Sequence, residues 1–143
     1  MPKPNLFISH RWDYKNEYHN LTKKLSEYGF SYLDYSVPQH DPLDVNKTNA
    51  IKLALAEQVR QCNYFLIFAN MAMANSDWCK YEVATAVKYG KPILSVKPHG
   101  YTGNIPVYIQ TADTEDGAVG FNTPSIIRKL CAKLNWPLPR ELA

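Results

Sequence analysis

Short apolar runs alternate with stretches of mixed polarity along the chain. The runs at residues 6–8, 30–35, 64–69 and 92–96 are predicted to be β-strands. Residues 64–69 are apolar at every position, which is the pattern of a central parallel strand whose two faces are both covered. A less marked stretch at residues 118–121 predicts a short additional strand, so about five strands are expected in all.

The stretches between these runs have helical spacing and recognisable ends. In the first of them, apolar residues recur at helical intervals until Gly29 stops the pattern. Ser76 can cap a later helix, and the pair Thr123-Pro124 is typical of a helix start. Residues 98–117 are rich in Gly, Pro and Asp and are predicted to be irregular. Helices are predicted over residues 16–28, 48–60, 76–89 and 123–134.

This alternation of strands and helices predicts an α/β fold with a parallel sheet. About five strands in a single domain, residues 1–143, indicate a flavodoxin-like three-layer sandwich with a mainly parallel five-stranded sheet in the order 2-1-3-4-5. In such sheets ligands bind outside the carboxyl ends of the strands, where the strand order reverses, here between strands 1 and 3. The segments that follow the first three strands, residues 9–14, 35–43 and 70–78, are therefore expected to carry the chemistry.

Composition and charge exclude several classes of function. Apolar residues make up 45% of the 143 positions and charged residues 20%, which is typical of a soluble globular protein. The net charge of +3 is small, so nucleic acid is not expected as a partner. No apolar run is long enough to span a membrane. The three cysteines form no C-x-x-C pair, and no signal peptide is recognised, which together predict a cytoplasmic location.

The common nucleotide and metal motifs are missing from the sequence. It contains no G-x-x-x-x-G-K-[ST] phosphate loop and no G-x-G-x-x-G dinucleotide fingerprint. The four histidines lack the spacing of a metal site, so none is expected, and no G-x-S-x-G nucleophile elbow occurs. Ser9 and His10 are adjacent at a strand end. Their side chains should point to opposite faces of the sheet and so do not form a nucleophile–base pair.

One carboxylate stands out near the expected ligand crevice. Glu82 lies in the third predicted helix, and the positions three and four residues away hold no cation that could pair with it. It lies at the edge of an apolar stripe, and Trp78 is one turn away on the same face. A carboxylate beside an indole in this place indicates a functional site. On the residues alone, a partly exposed glutamate beside a core tryptophan is the more ordinary interpretation. The stripe is expected to consist of Cys79, Val83, Ala86 and Val87.

The motifs resemble those of a known family. Residues 5–10, Asn-Leu-Phe-Ile-Ser-His, resemble the first conserved box of TIR domains. Trp78-x-x-x-Glu82 matches the W-x-x-x-E pattern of TIR enzymes that cleave NAD+. Residues 35–43 resemble the Y-S-V-P-x-x-D-P-L loop of the TIR-like branch that includes the ThsB proteins of Thoeris anti-phage systems, and residues 119–126 resemble its V-G-W/F-N segment. The loop at 35–43 is the most specific part of a resemblance that covers nearly the whole chain.

The resemblance implies a TIR-like fold and cleavage of the nicotinamide–ribose bond of NAD+, which is the substrate and not a bound cofactor. It implies that the Glu82 carboxylate stabilises the ribosyl cation, with Trp78 as a stacking wall or as a core residue between helix and sheet. His10 is expected to orient a phosphate or to activate an acceptor hydroxyl. The residues expected to line the same pocket, besides Trp78, are Ser9, His10, Asp13, Tyr35 and Ser36.

For this branch the resemblance favours a product that is a diffusible signalling nucleotide derived from ADP-ribose. A cyclic isomer is expected, and ADP-ribose itself or a conjugate are the alternatives. The nucleotide would activate a separate effector protein in bacterial anti-phage defence. Two other hypotheses stay open: a non-catalytic TIR-like module that uses its helix faces for assembly, and a flavodoxin-like nucleotide sensor. The absence of a helical cation beside Glu82 favours the enzyme over the assembly module.

Overall fold

Strands and helices alternate in the folded chain as the sequence predicts, and each of the four predicted helices lies close to its expected ends. The computed structural model describes residues 3–10, 15–35, 45–70, 77–98, 100–117 and 120–142. In chain order the elements are β1 (Asn5–Ser9), α1 (Lys15–Glu27), β2 (Leu33–Asp34), α2 (Val45–Gln61), β3 (Tyr64–Phe68), α3 (Asp77–Lys88), β4 (Ile93–Val96), α4 (Val107–Ala112), α5 (Thr123–Leu134) and a final 3-10 turn (Arg140–Leu142).

The four strands form one parallel sheet in the order β2-β1-β3-β4. β1 lies between β2 and β3, with Ser9 at the level of Ile67. β2 lies on one side of β1, and β3, the next strand in the chain, lies on the other side. The reversal of strand order therefore falls between β1 and β3, and a ligand crevice is expected at the carboxyl ends of these two strands.

Helices cover both faces of the sheet because its side chains alternate between two apolar clusters. Leu6 and Ile8 of β1 pack into one cluster with the inner residues of α1 and α5. Phe7 packs into the other cluster with inner residues of α2, α3 and α4. The first is called the α1–α5 face below, and the second the α2–α4 face. All five residues of β3 are buried, which confirms the prediction of a central strand.

The predicted five-stranded sheet is wrong: the described residues form four strands. The outer edge of β4 is bonded by side chains where a fifth strand would pair. The Ile93 N–H donates to Thr114 Oγ1 at 2.9 Å, and the Ser95 N–H donates to Asp113 Oδ2 at 2.8 Å. The Thr114 N–H returns a bond to the Ile93 carbonyl at 2.9 Å. Of the expected strand at 118–121, residues 118–119 lie outside the described residues and 120–121 belong to no strand.

The second strand is shorter than expected. It was predicted over residues 30–35, but only Leu33 and Asp34 pair with β1. Phe30 is buried on the α1–α5 face, and its ring stacks on that of Tyr32 with centroids 5.9 Å apart. The aromatic residues that suggested a long strand therefore pack against the core before the strand begins.

One additional helix and one helix cap also differ from the prediction. α4 lies within residues 98–117, which were predicted to be irregular, and it begins after Pro106 with no side-chain cap. α5 is confirmed, but its N-cap is Asn122 rather than Thr123, since Asn122 Oδ1 accepts from the Ser125 N–H at 3.1 Å. None of the helices in the described part of the chain combines the length and apolarity that a membrane span requires.

Candidate functional site

Helix α3 carries Glu82 into the interior of the protein. Glu82 is only 1% exposed, although the sequence pattern places it at the edge of the apolar stripe. Val87, expected inside that stripe, is 54% exposed. The buried side of α3 is therefore rotated toward Trp78, Glu82 and Thr85 relative to the expected stripe. The more ordinary interpretation, in which Glu82 is a partly exposed glutamate, is therefore wrong.

Ser9 meets Glu82 on the α2–α4 face. Its hydroxyl donates to Glu82 Oε1 over 3.4 Å, and both residues are buried. Ser9 closes β1 and follows the strand alternation of Phe7, which also faces α3. A buried carboxylate is costly unless donors stabilise its charge, and Ser9 is one such donor. Two residues that the sequence analysis assigns to one pocket, 73 positions apart, are therefore in contact.

Trp78 lies one helical turn before Glu82 and is 6% exposed. It packs in the apolar cluster of the α2–α4 face with Phe7, Ile67 and Ala69. Its ring therefore forms part of the core between helix and sheet, which was one of the two expected roles. Its indole Nε1–H is buried and finds no hydrogen-bond acceptor among the described residues.

Tyr108 joins this group from α4, and the sequence analysis missed it. It packs against the same apolar cluster as Trp78 and Cys79. Burial raises the pKa of Tyr108, and the nearby Cys79 and Glu82 raise it further. The phenol therefore stays neutral and keeps its proton as a donor. No pattern signalled it, because α4 is six residues long and uncapped.

His10 lies on the opposite side of β1. Its ring stacks on Tyr18 of α1 with centroids 4.4 Å apart and planes 12° apart, and the Tyr18 hydroxyl donates to Asp34. His10 Nδ1 lies 3.0 Å from the Ile8 carbonyl. Because a carbonyl oxygen only accepts, Nδ1 is the donor of this contact. The expected separation of Ser9 and His10 onto two faces is what the side chains adopt.

The remaining expected pocket residues come from the ends of the first two strands. Tyr35 is half-buried, and its N–H donates to the Leu6 carbonyl at 2.7 Å, which holds it beside β1. Asp13 and Ser36 lie outside the described residues. The structure thus brings together Ser9, Trp78 and Glu82, adds Tyr108, and leaves His10 on the other face.

Two sizeable cavities in the described part of the chain lie away from Glu82. One, of about 550 Å³, borders β4 and includes Asp113, whose carboxylate already accepts from Ser95, Glu115 and Gly117. The other, of about 580 Å³, lies between α1 and the start of α5. Among the described residues, no group of three or more His, Cys, Asp or Glu side chains is arranged to hold a metal ion.

A parallel sheet covered by helices on both faces, with polar side chains at the carboxyl ends of its strands, defines this chain as an α/β protein of the doubly wound class. Within that class it belongs to the family described as Thoeris protein ThsB, TIR-like domain, whose model matches residues 7–102. The match runs from β1 through β4 and confirms the resemblance inferred from the motifs. The expected V-G-W/F-N segment at 119–126 lies beyond the matched range.

Two solved structures that share the fold of this chain are those of enzymes that act on nucleosides or nucleotides. The CMP N-glycosidase BcmB of Clostridium botulinum is 15% identical, with a TM-score of 0.54, over 92% of this chain and 98% of that chain. The 2-deoxyribosyltransferase of Bacillus psychrosaccharolyticus is 15% identical, with a TM-score of 0.53, over 82% of this chain and 85% of that chain. At this identity the likeness shows the fold. No curated protein sequence matches the chain.

Proposed function

We propose that this protein cleaves the nicotinamide–ribose bond of NAD+ with Glu82 as its catalytic carboxylate. The observation that carries the proposal is the position of Glu82: 1% exposed, on the α2–α4 face, and in contact with Ser9 at the carboxyl end of β1. A buried carboxylate is energetically unfavourable, and such groups are concentrated at functional sites. Glu82 reaches from α3 to the carboxyl end of β1, beside the reversal of strand order.

The chemistry needs one carboxylate. Glycosidases that expel an alcohol use two, because the leaving oxygen must be protonated while the other carboxylate attacks or activates water. In NAD+ the leaving nicotinamide is already a pyridinium. The C–N bond breaks with its electron pair going to the ring nitrogen, and neutral nicotinamide departs without a proton donor. The Glu82 anion then stabilises the oxocarbenium ion of the ribose.

The other residues have supporting roles in this proposal. Ser9 orients the Glu82 carboxylate through the 3.4 Å contact. Tyr35 and Ser36, after β2, contact the ribose or the nicotinamide, and Asp13 lines the pocket after β1. His10, whose Nδ1 contacts the Ile8 carbonyl, orients a phosphate or activates the acceptor hydroxyl that attacks the ribosyl cation.

The two enzymes whose solved structures resemble this chain support this class of reaction. One is an N-glycosidase of CMP and the other a deoxyribosyltransferase, so both act at the bond between a sugar and a base. Both kinds of reaction on this fold are compatible with cleavage of the N-glycosidic bond of NAD+ followed by transfer. The support is at the level of the fold, because function resides in the site.

The fate of the ADP-ribosyl group determines the product. Water gives ADP-ribose and a proton, whereas an internal nucleophile gives a cyclic isomer and an external one gives a conjugate. We propose a cyclic signalling nucleotide that activates a separate effector in anti-phage defence, in keeping with the family. Among the described residues, Cys62, Cys79 and Cys131 form no disulfide, which fits the cytoplasmic location that we propose.

The test is nicotinamide release from NAD+, followed by chromatography and mass measurement of the nucleotide product. Glu82→Gln should abolish release while the protein stays folded. Glu27→Gln, at an exposed glutamate of α1, is the matched control and should leave release unchanged. The assay is run on purified protein and on phage-infected cells that express it, because infection can be the trigger. Equal release by wild type and Glu82→Gln would refute the assignment of the carboxylate.

An assembly module is the second candidate function. Large apolar side chains are exposed on three helices of the α2–α4 face: Leu53 at 74%, Val87 at 54% and Val107 at 75%. Exposed apolar surface favours association with protein partners, including self-assembly. If assembly alone is the function, Glu82→Gln should protect cells against phage as well as wild type does, and Leu53→Glu should not.

A further inference from the structure

The Trp78 indole is a polar group with no described partner in an otherwise apolar place. It is 6% exposed, and its Nε1–H has no acceptor among the described residues. A buried donor left without a partner destabilises the folded state, because it loses its hydrogen bonds to water without replacement. Native proteins rarely retain such a group unless a water or a ligand supplies the acceptor.

This donor belongs to the neighbourhood of Glu82. The two residues are one helical turn apart on the buried side of α3, so their backbones are separated by about 6 Å along the helix. Trp78 is the second residue of α3, the helix that follows the carboxyl end of β3, and it belongs to the same apolar cluster as Ala69, the residue after β3. The indole therefore lies in the same layer and at the same end of the sheet as Ser9 and Glu82.

We propose that the Trp78 Nε1–H is the hydrogen-bond donor that recognises the carboxamide oxygen of the nicotinamide leaving group. This inference rests on the proposed cleavage of NAD+. Among the acceptors of NAD+, phosphate oxygens are charged and lose much of their hydration in an apolar cluster. The carboxamide oxygen is neutral and so suits a neutral donor within the apolar cluster of the α2–α4 face.

Such a bond would assist the reaction as well as binding. When the C–N bond breaks, its electron pair moves onto the pyridine nitrogen and the ring loses its positive charge. The carboxamide oxygen then carries more electron density and accepts a stronger hydrogen bond. The bond is tighter in the transition state than in the bound substrate, which is the condition for accelerating the chemical step. The indole keeps its proton throughout.

The first experiment observes the indole proton directly. The chain has 3 tryptophans, at positions 12, 78 and 136, and each gives an indole N–H signal in a proton–nitrogen correlation spectrum. Trp78→Phe assigns the Trp78 signal. Nicotinamide is added to Glu82→Gln protein, which does not turn over, and 3-methylpyridine, which lacks the carbonyl, is the control ligand. The Trp78 proton should move downfield with nicotinamide only, whereas Trp136, on the α1–α5 face, should not move.

The second experiment tests whether the Trp78 Nε1–H binds the carboxamide oxygen of NAD+ during turnover. Wild type should prefer NAD+ to its thionicotinamide analogue, because sulfur is the poorer acceptor. In Trp78→Phe, which keeps an aromatic ring, nicotinamide release from NAD+ should fall about 2–10-fold, the range expected for one neutral hydrogen bond. The preference over the thio analogue should disappear. Trp136→Phe is the matched control and should keep both.

The outcomes separate this inference from the proposed function. One result would overturn the donor role and leave the proposed cleavage standing. In it, Glu82-dependent nicotinamide release occurs, but the signal of the Trp78 indole proton does not shift with nicotinamide or shifts equally with 3-methylpyridine. A Trp78 signal that already exchanges protons with a bound water in the free protein, and keeps doing so with nicotinamide, also overturns it. If the Trp78 proton responds to nicotinamide while no NAD+ is consumed in infected cells, recognition stands and the proposed cleavage fails.

Discussion

At the scale of single residues, the site depends on a carboxylate whose burial the periodicity of its helix does not reveal. The apolar residues of α3 predict that Val87 lies inside and that Glu82 lies at the edge, and both placements are wrong. α3 packs against the sheet and also against α2 and α4 on its two sides. Its covered surface is therefore wider than its apolar stripe. Neighbouring helices determine which polar side chains are buried, and the sequence of one helix does not show where its neighbours will pack.

The Ser9 hydroxyl is predicted to assist Glu82. Ser9→Ala removes the donor that contacts Glu82 Oε1. Nicotinamide release should fall about 10-fold, since a hydrogen bond to a charged group contributes about 1.5 kcal/mol at the lower end of its range and this contact is long. Initial rates at saturating NAD+ measure the effect. Ser26→Ala, at an exposed serine of α1, should behave as wild type, and a Ser9→Ala rate equal to it would remove Ser9 from the site.

The Tyr108 hydroxyl is predicted to contribute through its position beside Cys79 and Glu82. Because burial raises the pKa of Tyr108, the phenol is a neutral donor throughout the physiological range. Tyr108→Phe keeps the ring and its packing, so the melting temperature should change little. Nicotinamide release should fall about 2–10-fold. Tyr28→Phe, on the α1–α5 face, is the control, and an equal loss in both variants would point to packing instead.

At the scale of elements, the parts that could be predicted are those with a local cause. β3 is apolar at every position, and α5 has Pro124 in its first turn and a polar cap. The parts that could not be predicted depend on contacts distant in sequence. α4 has neither length nor a cap to mark it, and the edge of β4 is closed by the side chains of Asp113 and Thr114, which no strand pattern shows.

The closed edge of β4 makes Gly117 intolerant of a side chain. A Cβ at Gly117 would collide with the Asp113 carboxylate and the Ser95 hydroxyl, and would lie 2.8 Å from the Ser95 carbonyl oxygen. Gly117→Ala should therefore lower the free energy of unfolding by about 1–3 kcal/mol. Gly120→Ala is the matched control, because a Cβ there meets nothing within 4 Å. Urea denaturation measures both, and equal stabilities would show that the edge is not held as described.

At the scale of the whole molecule, the topology assembles the site from distant segments. β1 and β3 are neighbours in the sheet, and α3 returns from β3 over the face to which Phe7 and Ser9 point. Ser9 and Glu82 meet for this reason, across 73 positions of sequence. The alternation along β1 sends His10 to α1, so in the proposed reaction the ribose would face Glu82 on one side of β1 and another group of the nucleotide would face His10 on the other.

The alkaline limit of stability tests how tightly the α2–α4 face is packed. Burial raises the pKa of Cys62 to about 11, while an unfolded thiol ionises near 9.0. The neutral thiol is favoured in the native state, so this contribution is fully present below pH 9 and is lost as the pH rises toward 11. The loss should reach about 2–3 kcal/mol, the equivalent of a shift of about two pKa units. Urea denaturation at a series of pH values from 7.5 to 11 measures it.

Cys62→Ala isolates this thiol from the other groups that titrate in the same range. Tyr64 and Tyr108 also have raised pKa values, chiefly because they are buried, and they destabilise the fold in the same direction above pH 10. The variant should be less stable than wild type at neutral pH, because a cavity replaces the sulfur. The difference between the two proteins should shrink between pH 9 and 11. A constant difference across that range would mean that solvent reaches the Cys62 thiol and that the α2–α4 face is not tightly packed around it.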